Sequence, residues 1–143
     1  VSQIRIDLAC APPNTTAQQK RVNTRGRRPV FYHGKAMQRQ TSTWISLLRP
    51  HVPAAPLTGP VVLTVVGIWP HPTSTPKRDR AQLLPKTTKP DASNFAKHLE
   101  DVLVRMRFLE DDSQVSRCFT EKWRGPAEAV GIRIFLATLE ATA

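Results

Sequence analysis

Apolar and polar residues alternate over residues 4–9 (Ile-Arg-Ile-Asp-Leu-Ala), which predicts a strand with one buried face. The alternation then lapses. Residues 12–29 are polar and basic, begin Pro-Pro-Asn, and read as a long loop. Over residues 34–48, Met37, Trp44, Leu47 and Leu48 approximate one face of a helix that closes before Pro50. A Pro-rich connection, residues 51–60, leads to Val-Val-Leu-Thr-Val-Val-Gly-Ile-Trp at 61–69, a β-branched strand. Residues 70–89 carry four prolines and read as a second long, basic loop. A helix follows, capped by Asp91 or a neighbour and running to about Arg107. Its residues Phe95, Leu99, Val102 and Met106 share a narrow arc, and Lys97 and Asp101 take the opposite side. After the acidic turn Glu110-Asp111-Asp112, residues 114–123 and 130–138 predict two strands joined at Gly125-Pro126. The order β-α-β-α-β-β predicts an α+β fold, a single mixed sheet with two main helices. The 143 residues fit one domain with its own core.

Charge adds what periodicity leaves out. The net charge is +10, and no acidic residue stands between Asp7 and Asp79. That interval holds ten cations: Lys20, Arg21, Arg25, Arg27, Arg28, Lys35, Arg39, Arg49, Lys77 and Arg78. Ordinary surfaces mix both signs, so a one-signed stretch points to a polyanionic partner. The longest apolar run is too short to span a bilayer, and the N-terminus Val1-Ser2-Gln3-Ile4-Arg5 shows no signal-peptide pattern. No membrane association and a cytoplasmic setting are expected. Cys10 and Cys118 lack CxxC spacing, which excludes a cysteine-rich zinc site; both are expected to be buried or half-buried.

The acids are equally segregated. Ten of the eleven lie from Asp79 onward, six of them between Asp91 and Asp112. Clustered carboxylates repel phosphate, so in a polyanion-seeking protein they need a separate reason. Magnesium supplies one, since it takes one or two carboxylates plus water and a phosphate oxygen. Simpler readings stand beside it. Asp91, Ser93 or Asn94 could serve as a helix cap, Lys97 and Asp101 as an i,i+4 surface pair, and Asp111-Asp112 as a plain turn. His33, His51, His71 and His98 have no metal-ligand spacing and are expected at the surface. GxSxG, P-loop, GxGxxG and HExxH motifs are all absent, which removes serine hydrolases, P-loop enzymes, Rossmann dehydrogenases and zinc proteases of those types.

Lys89-Pro90-Asp91-Ala92-Ser93-Asn94-Phe95-Ala96-Lys97, then Asp101-Val102-Leu103, then Glu110-Asp111-Asp112-Ser113-Gln114-Val115, resembles the core of RusA-type Holliday junction resolvases. Glu121-Lys122-Trp123, Gly131-Ile132-Arg133-Ile134 and the early Ala11-Pro12-Pro13-Asn14 extend the resemblance over nearly the whole chain. The resemblance implies a homodimer of bacterial, phage or prophage type. It would bind branched DNA and cut four-way junctions by paired symmetric nicks. The implied cofactor is Mg2+, with Mn2+ able to substitute. By position, Asp91, Lys97 and Asp112 match the catalytic residues. Asp91, Asp112 and Asp111 are the expected metal ligands, and Asp101 and Asn94 support. Arg25, Arg27, Arg28, Lys35, Lys77 and Arg78 are expected to contact phosphates. Ser93 departs from the pattern, standing where the family has its third catalytic aspartate. Three readings follow: a nuclease compensated by Asp111 or Asp101, a weakened or inactive homologue that still binds junctions, or a serine introduced by engineering to trap a complex.

Overall fold

Alternating residues build the core. In the computed structural model, which describes residues 2–14, 20–23, 26 and 30–142, the main sheet has five strands in the order β1-β7-β4-β6-β5. These are β1 (Gln3–Leu8), β4 (Val61–Pro70), β5 (Leu84–Pro85), β6 (Val115–Gly125) and β7 (Gly131–Thr138). Strands β4 and β6 run parallel, and every other pairing in the sheet is antiparallel. Ile6 stands opposite Ile134, which stands opposite Val65, so the buried residues of three strands form one row. A one-residue slip would turn that row to solvent, which is why the alternation specifies the register.

Two helices cover this face: α1 (Lys35–Leu48) and α2 (Ala92–Arg105). Trp44 and Leu48 of α1 and Phe95, Leu99, Val102 and Leu103 of α2 are buried against Ile6, Leu63, Val65, Ile134 and Leu136. Phe95 packs edge-on to Trp69 with ring centres 5.2 Å apart, and Trp44 lies 6.5 Å from Phe95. Thus the α+β reading, with a single mixed five-stranded sheet and two helices, is the observed architecture.

Several details differ from the expectation. The first long loop holds a strand, β2 (Lys20–Asn23), that pairs in a separate antiparallel hairpin with β3 (Val30–His33), just past the loop's expected end. Its strands are four residues each and lack an apolar alternation to announce them. The second loop holds a one-turn helix at Lys77–Asp79 and the two-residue strand β5. Helix α2 stops at Arg105 rather than Arg107, because Arg107 takes a left-handed φ of 67°. The Phe108 amide then reaches the Leu103 carbonyl at 2.9 Å and the Arg107 amide reaches that of Val104 at 3.0 Å, a Schellman closure. Met106 is only half-buried, while Cys118 is exposed on β6. His98 is buried rather than at the surface, because it sits on the inward side of α2 against Trp44. The side chains of Met37 and His33 lie outside the described residues.

Candidate active site

The connection from β4 to β6 passes through α2, and the site is built at both ends of that crossover. Asp91 is the N-cap of α2, with extended backbone angles. Its carbonyl accepts the Phe95 amide at 2.9 Å, but its carboxylate makes no capping bond and instead accepts from the Asn94 side chain at 3.4 Å. Asp91, Asn94, Lys97 and Asp101 recur at i, i+3 and i+4 spacing, so they form one polar ridge opposite the buried stripe. Ser93 is exposed in the first turn.

At the other end, the Schellman closure sends Phe108 and Leu109 into the core and brings the acidic turn back over the ridge. Asp111 is the N-cap of a one-turn helix at Asp112–Gln114. Its carboxylate accepts from the Ser113 amide and hydroxyl, and these bonds hold its pKa below the usual carboxylate range. Gln114 completes the turn. Its side-chain oxygen accepts from the amides of Glu110 at 2.7 Å and Asp111 at 3.0 Å. Its amide nitrogen donates to the carbonyls of Leu57 and Gly59, each at 2.9 Å. One side chain therefore ties the acidic turn to the edge of the core.

Lys97 joins the two ends. It donates to Asp112 and pairs with Asp101 at 3.1 Å, and these bonds, Asp112 first, raise its pKa. The three side chains are 39–47% exposed. Ion pairs this wet contribute about 0–1 kcal/mol each, so stability alone gives little reason for the triad. Glu100 stands beside it, half-buried, with its pKa raised first by burial and further by Asp112 and Asp101.

Of the expected residues, the structure gathers Lys97, Asp101 and Asp112 and places Asp91 and Asn94 on the same ridge. Asp111 is exposed and caps the one-turn helix through one carboxylate oxygen, Oδ2. Lys35, Lys77 and Arg78 are exposed, with Arg78 paired to Asp79 at 3.7 Å. Arg25, Arg27 and Arg28 lie outside the described residues. Two residues given no role from sequence prove structural to the site. One is Gln114. The other is Lys122 of β6, which donates to the carbonyls of Thr88 at 2.8 Å and Pro90 at 2.6 Å and so braces the approach to Asp91. The Lys89–Pro90 peptide there is cis. Both lie in motifs visible in the sequence, but only their carbonyl partners, distant along the chain, reveal the task.

No cluster of three or more His, Cys, Asp or Glu side chains suited to a metal occurs among the described residues. The donor set nonetheless fits a hard divalent cation held by one or two carboxylates with water and phosphate completing the shell. Asp91 and Asp112 offer only oxygen, and both reach solvent.

A basic α+β domain with a lysine and carboxylates at the ends of a crossover helix has the groups needed for phosphodiester chemistry. The family model for endodeoxyribonuclease RusA matches residues 11–135, and the chain belongs to that family. Membership implies an endonuclease that resolves Holliday junctions, acting on branched DNA, in a family that generally depends on a divalent metal. Among curated proteins, none matches the chain.

Proposed function

We propose that the protein is a Mg2+-dependent, structure-selective endonuclease. It resolves four-way DNA junctions as a homodimer, by paired symmetric nicks, in the cytoplasm of a bacterium or of a phage-infected host. The observation that carries this reading is the Lys97–Asp112 contact, which brings the acidic turn onto the ridge that begins at Asp91. Asp91 and Asp112 would hold the metal. Asp111, through its cap, positions Asp112. When bound, the metal supplies Lewis acidity at the scissile phosphate and lowers the pKa of the attacking water. Lys97 presents a fixed positive charge to the phosphoryl oxygens as negative charge develops on them. Asp101 keeps that ammonium aimed along the ridge, and Asn94 orients the Asp91 carboxylate. Lys35, Lys77, Arg78 and the arginines Arg25, Arg27 and Arg28 contact phosphates, which sets position rather than sequence preference. Two symmetric cuts call for two sites related by a two-fold axis.

Ser93 favours a second reading, a junction-binding homologue with weakened chemistry. It is exposed in the first turn of α2 and offers a neutral hydroxyl where the family pattern has a carboxylate. One assay separates the two. A labelled synthetic four-way junction is incubated with wild type, Asp91→Asn and Ser93→Asp, with Mg2+, Mn2+ or EDTA. Metal-dependent paired cuts by wild type, lost in Asp91→Asn, support the nuclease. Cutting only by Ser93→Asp supports the binder. Absence of both cutting and a gel shift in every lane overturns both.

A further inference from the structure

A second charged cluster lies along the approach to Asp91. Lys86 Nζ donates to the Thr88 hydroxyl at 2.7 Å, and Arg124 Nη2 donates to the same oxygen at 2.9 Å. Lys122 holds the Thr88 carbonyl from the neighbouring strand position. Three cations thus converge on one residue. None of them forms an ion pair among the described residues. The loop residues left undescribed between Ala11 and Val30 add no acid, because the sequence has none from there to Asp79. Burial first, and then the Arg124 and Lys122 charges, hold the Lys86 pKa below the ordinary lysine value. Like charges brought together without a counter-ion favour an anion in their midst.

The surroundings suit one. Lys86 and Arg124 line an open cavity of about 320 Å3 with Pro12, Asn14, Trp69 and His71; Thr88 and Lys122 are outside its lining, joined to it through the Thr88 bonds. The Lys86 ammonium sits over the Trp69 ring, 5.3 Å from its centre. Trp69 itself is 4% exposed, and its indole N–H has no hydrogen-bond partner among the described residues. Lysine, arginine, a hydroxyl and an indole N–H are all donors, and a phosphate is all acceptor.

We propose that Lys86, Arg124 and Lys122, with the Thr88 hydroxyl, form a phosphate-binding site for a backbone phosphodiester of the strand that enters the Asp91–Asp112 centre. It rests on the nuclease reading for the identity of that strand, but not for the existence of the anion site. Thr88 and Asp91 are three residues apart in the chain, so their backbones are separated by at most roughly 11 Å. With a rise of about 3.4 Å per nucleotide, that corresponds to a phosphate on the order of one to three steps from the one cut. The site would act as a register pin, fixing which phosphodiester reaches the carboxylates.

Two measurements on the full chain test this. In the first, NMR spectra are followed while wild type is titrated with thymidylyl-thymidine, which carries a single phosphodiester, and separately with inorganic phosphate. The Trp69 indole and the Thr88 and Arg124 amides are expected to shift together with the dinucleotide. In the second, binding of a labelled four-way junction in EDTA is measured against KCl for wild type, Lys86→Gln/Arg124→Gln, Lys86→Arg/Arg124→Lys and Arg133→Gln. Losing one shared phosphate contact in each protomer of a junction-bound dimer lowers the log–log salt slope by about 1.8 in the double Gln variant. The charge-conserving pair and Arg133→Gln, an exposed cation on β7, keep the wild-type slope. The proposal is overturned if the dinucleotide shifts only signals elsewhere, or if inorganic phosphate alone moves these three. It is also overturned if a folded double Gln variant keeps the full slope. Should the double Gln variant unfold, the wild-type titration and the charge-conserving pair still decide it. Dinucleotide shifts without any junction binding would sink the nuclease reading and leave the anion site standing.

Discussion

Lys97 is the residue on which the site turns. Its raised pKa keeps it charged through the ordinary lysine range; the stability from its pairing with Asp112 and Asp101 is full below that range and is lost as pH rises through it to the raised value. It therefore contributes no pH dependence of stability between about pH 6 and 9. Lys97→Met is expected to slow junction cleavage by about 10²–10³-fold, the loss typical of a removed electrostatic stabiliser. Because the triad is wet, the same change should alter unfolding free energy by no more than about 1 kcal/mol. A urea titration beside the cleavage assay checks both; a large stability loss would make Lys97 a structural residue instead. Lys97→Arg, with the charge kept, should retain the shape of the pH–rate profile. Gln114 shows the opposite balance. It satisfies four backbone groups, so Gln114→Ala should cost about 1–3 kcal/mol in urea unfolding and lower cleavage by displacing Asp112. Asp111 adds a pH signature of its own. Its lowered pKa means the cap is intact above the carboxylate range and is lost as pH falls through the depressed value.

Among the elements, α2 carries most of the design. Its inward stripe was legible at helical spacing, and so was the ridge of Lys97 and Asp101. Its end was not. Nothing in Met106-Arg107-Phe108 signals a left-handed residue, since the usual glycine is absent, and the closure follows from burying Phe108 and Leu109. The β2–β3 hairpin escaped for a related reason: it lies apart from the main sheet and so shows no core-facing alternation. At β7, Gly131 stands where the strand meets β1. A Cβ there would lie 2.6 Å from the Leu8 carbonyl oxygen, a backbone atom with little room to move. Gly131→Ala should therefore destabilise by about 1–3 kcal/mol, read as a lowered midpoint in chemical denaturation. An unchanged midpoint would show that β1 can shift away freely.

For the whole molecule, segregation of charge is the organising feature. A net charge of +10 surrounds a local group of acids, and the field of such a surface attracts a polyanion such as DNA over long range. Junction affinity should fall by about 10³–10⁵ between 50 and 200 mM salt if six to ten phosphates are contacted. Asp91→Asn should leave that salt dependence unchanged while abolishing cleavage. Filter binding against salt measures the first and the junction assay the second. A flat salt response would remove the basic surface from the binding account.

Periodicity by itself determined the fold class and most of the buried faces, and charge determined the division of the chain into a basic and an acid-bearing part. Those properties are repeated along the chain or concentrated in short motifs, and local spacing reports them directly. Tertiary structure alone decided which acids meet. It set Asp112 against Lys97, made Asp111 the cap of a one-turn helix, buried His98, and put Gln114 on carbonyls more than fifty residues away. It also drew Lys86, Lys122 and Arg124 together around Thr88, because strand β6 pairs with the chain that leads into α2. Contacts of that range depend on how the crossover closes over the sheet, and no local pattern encodes them.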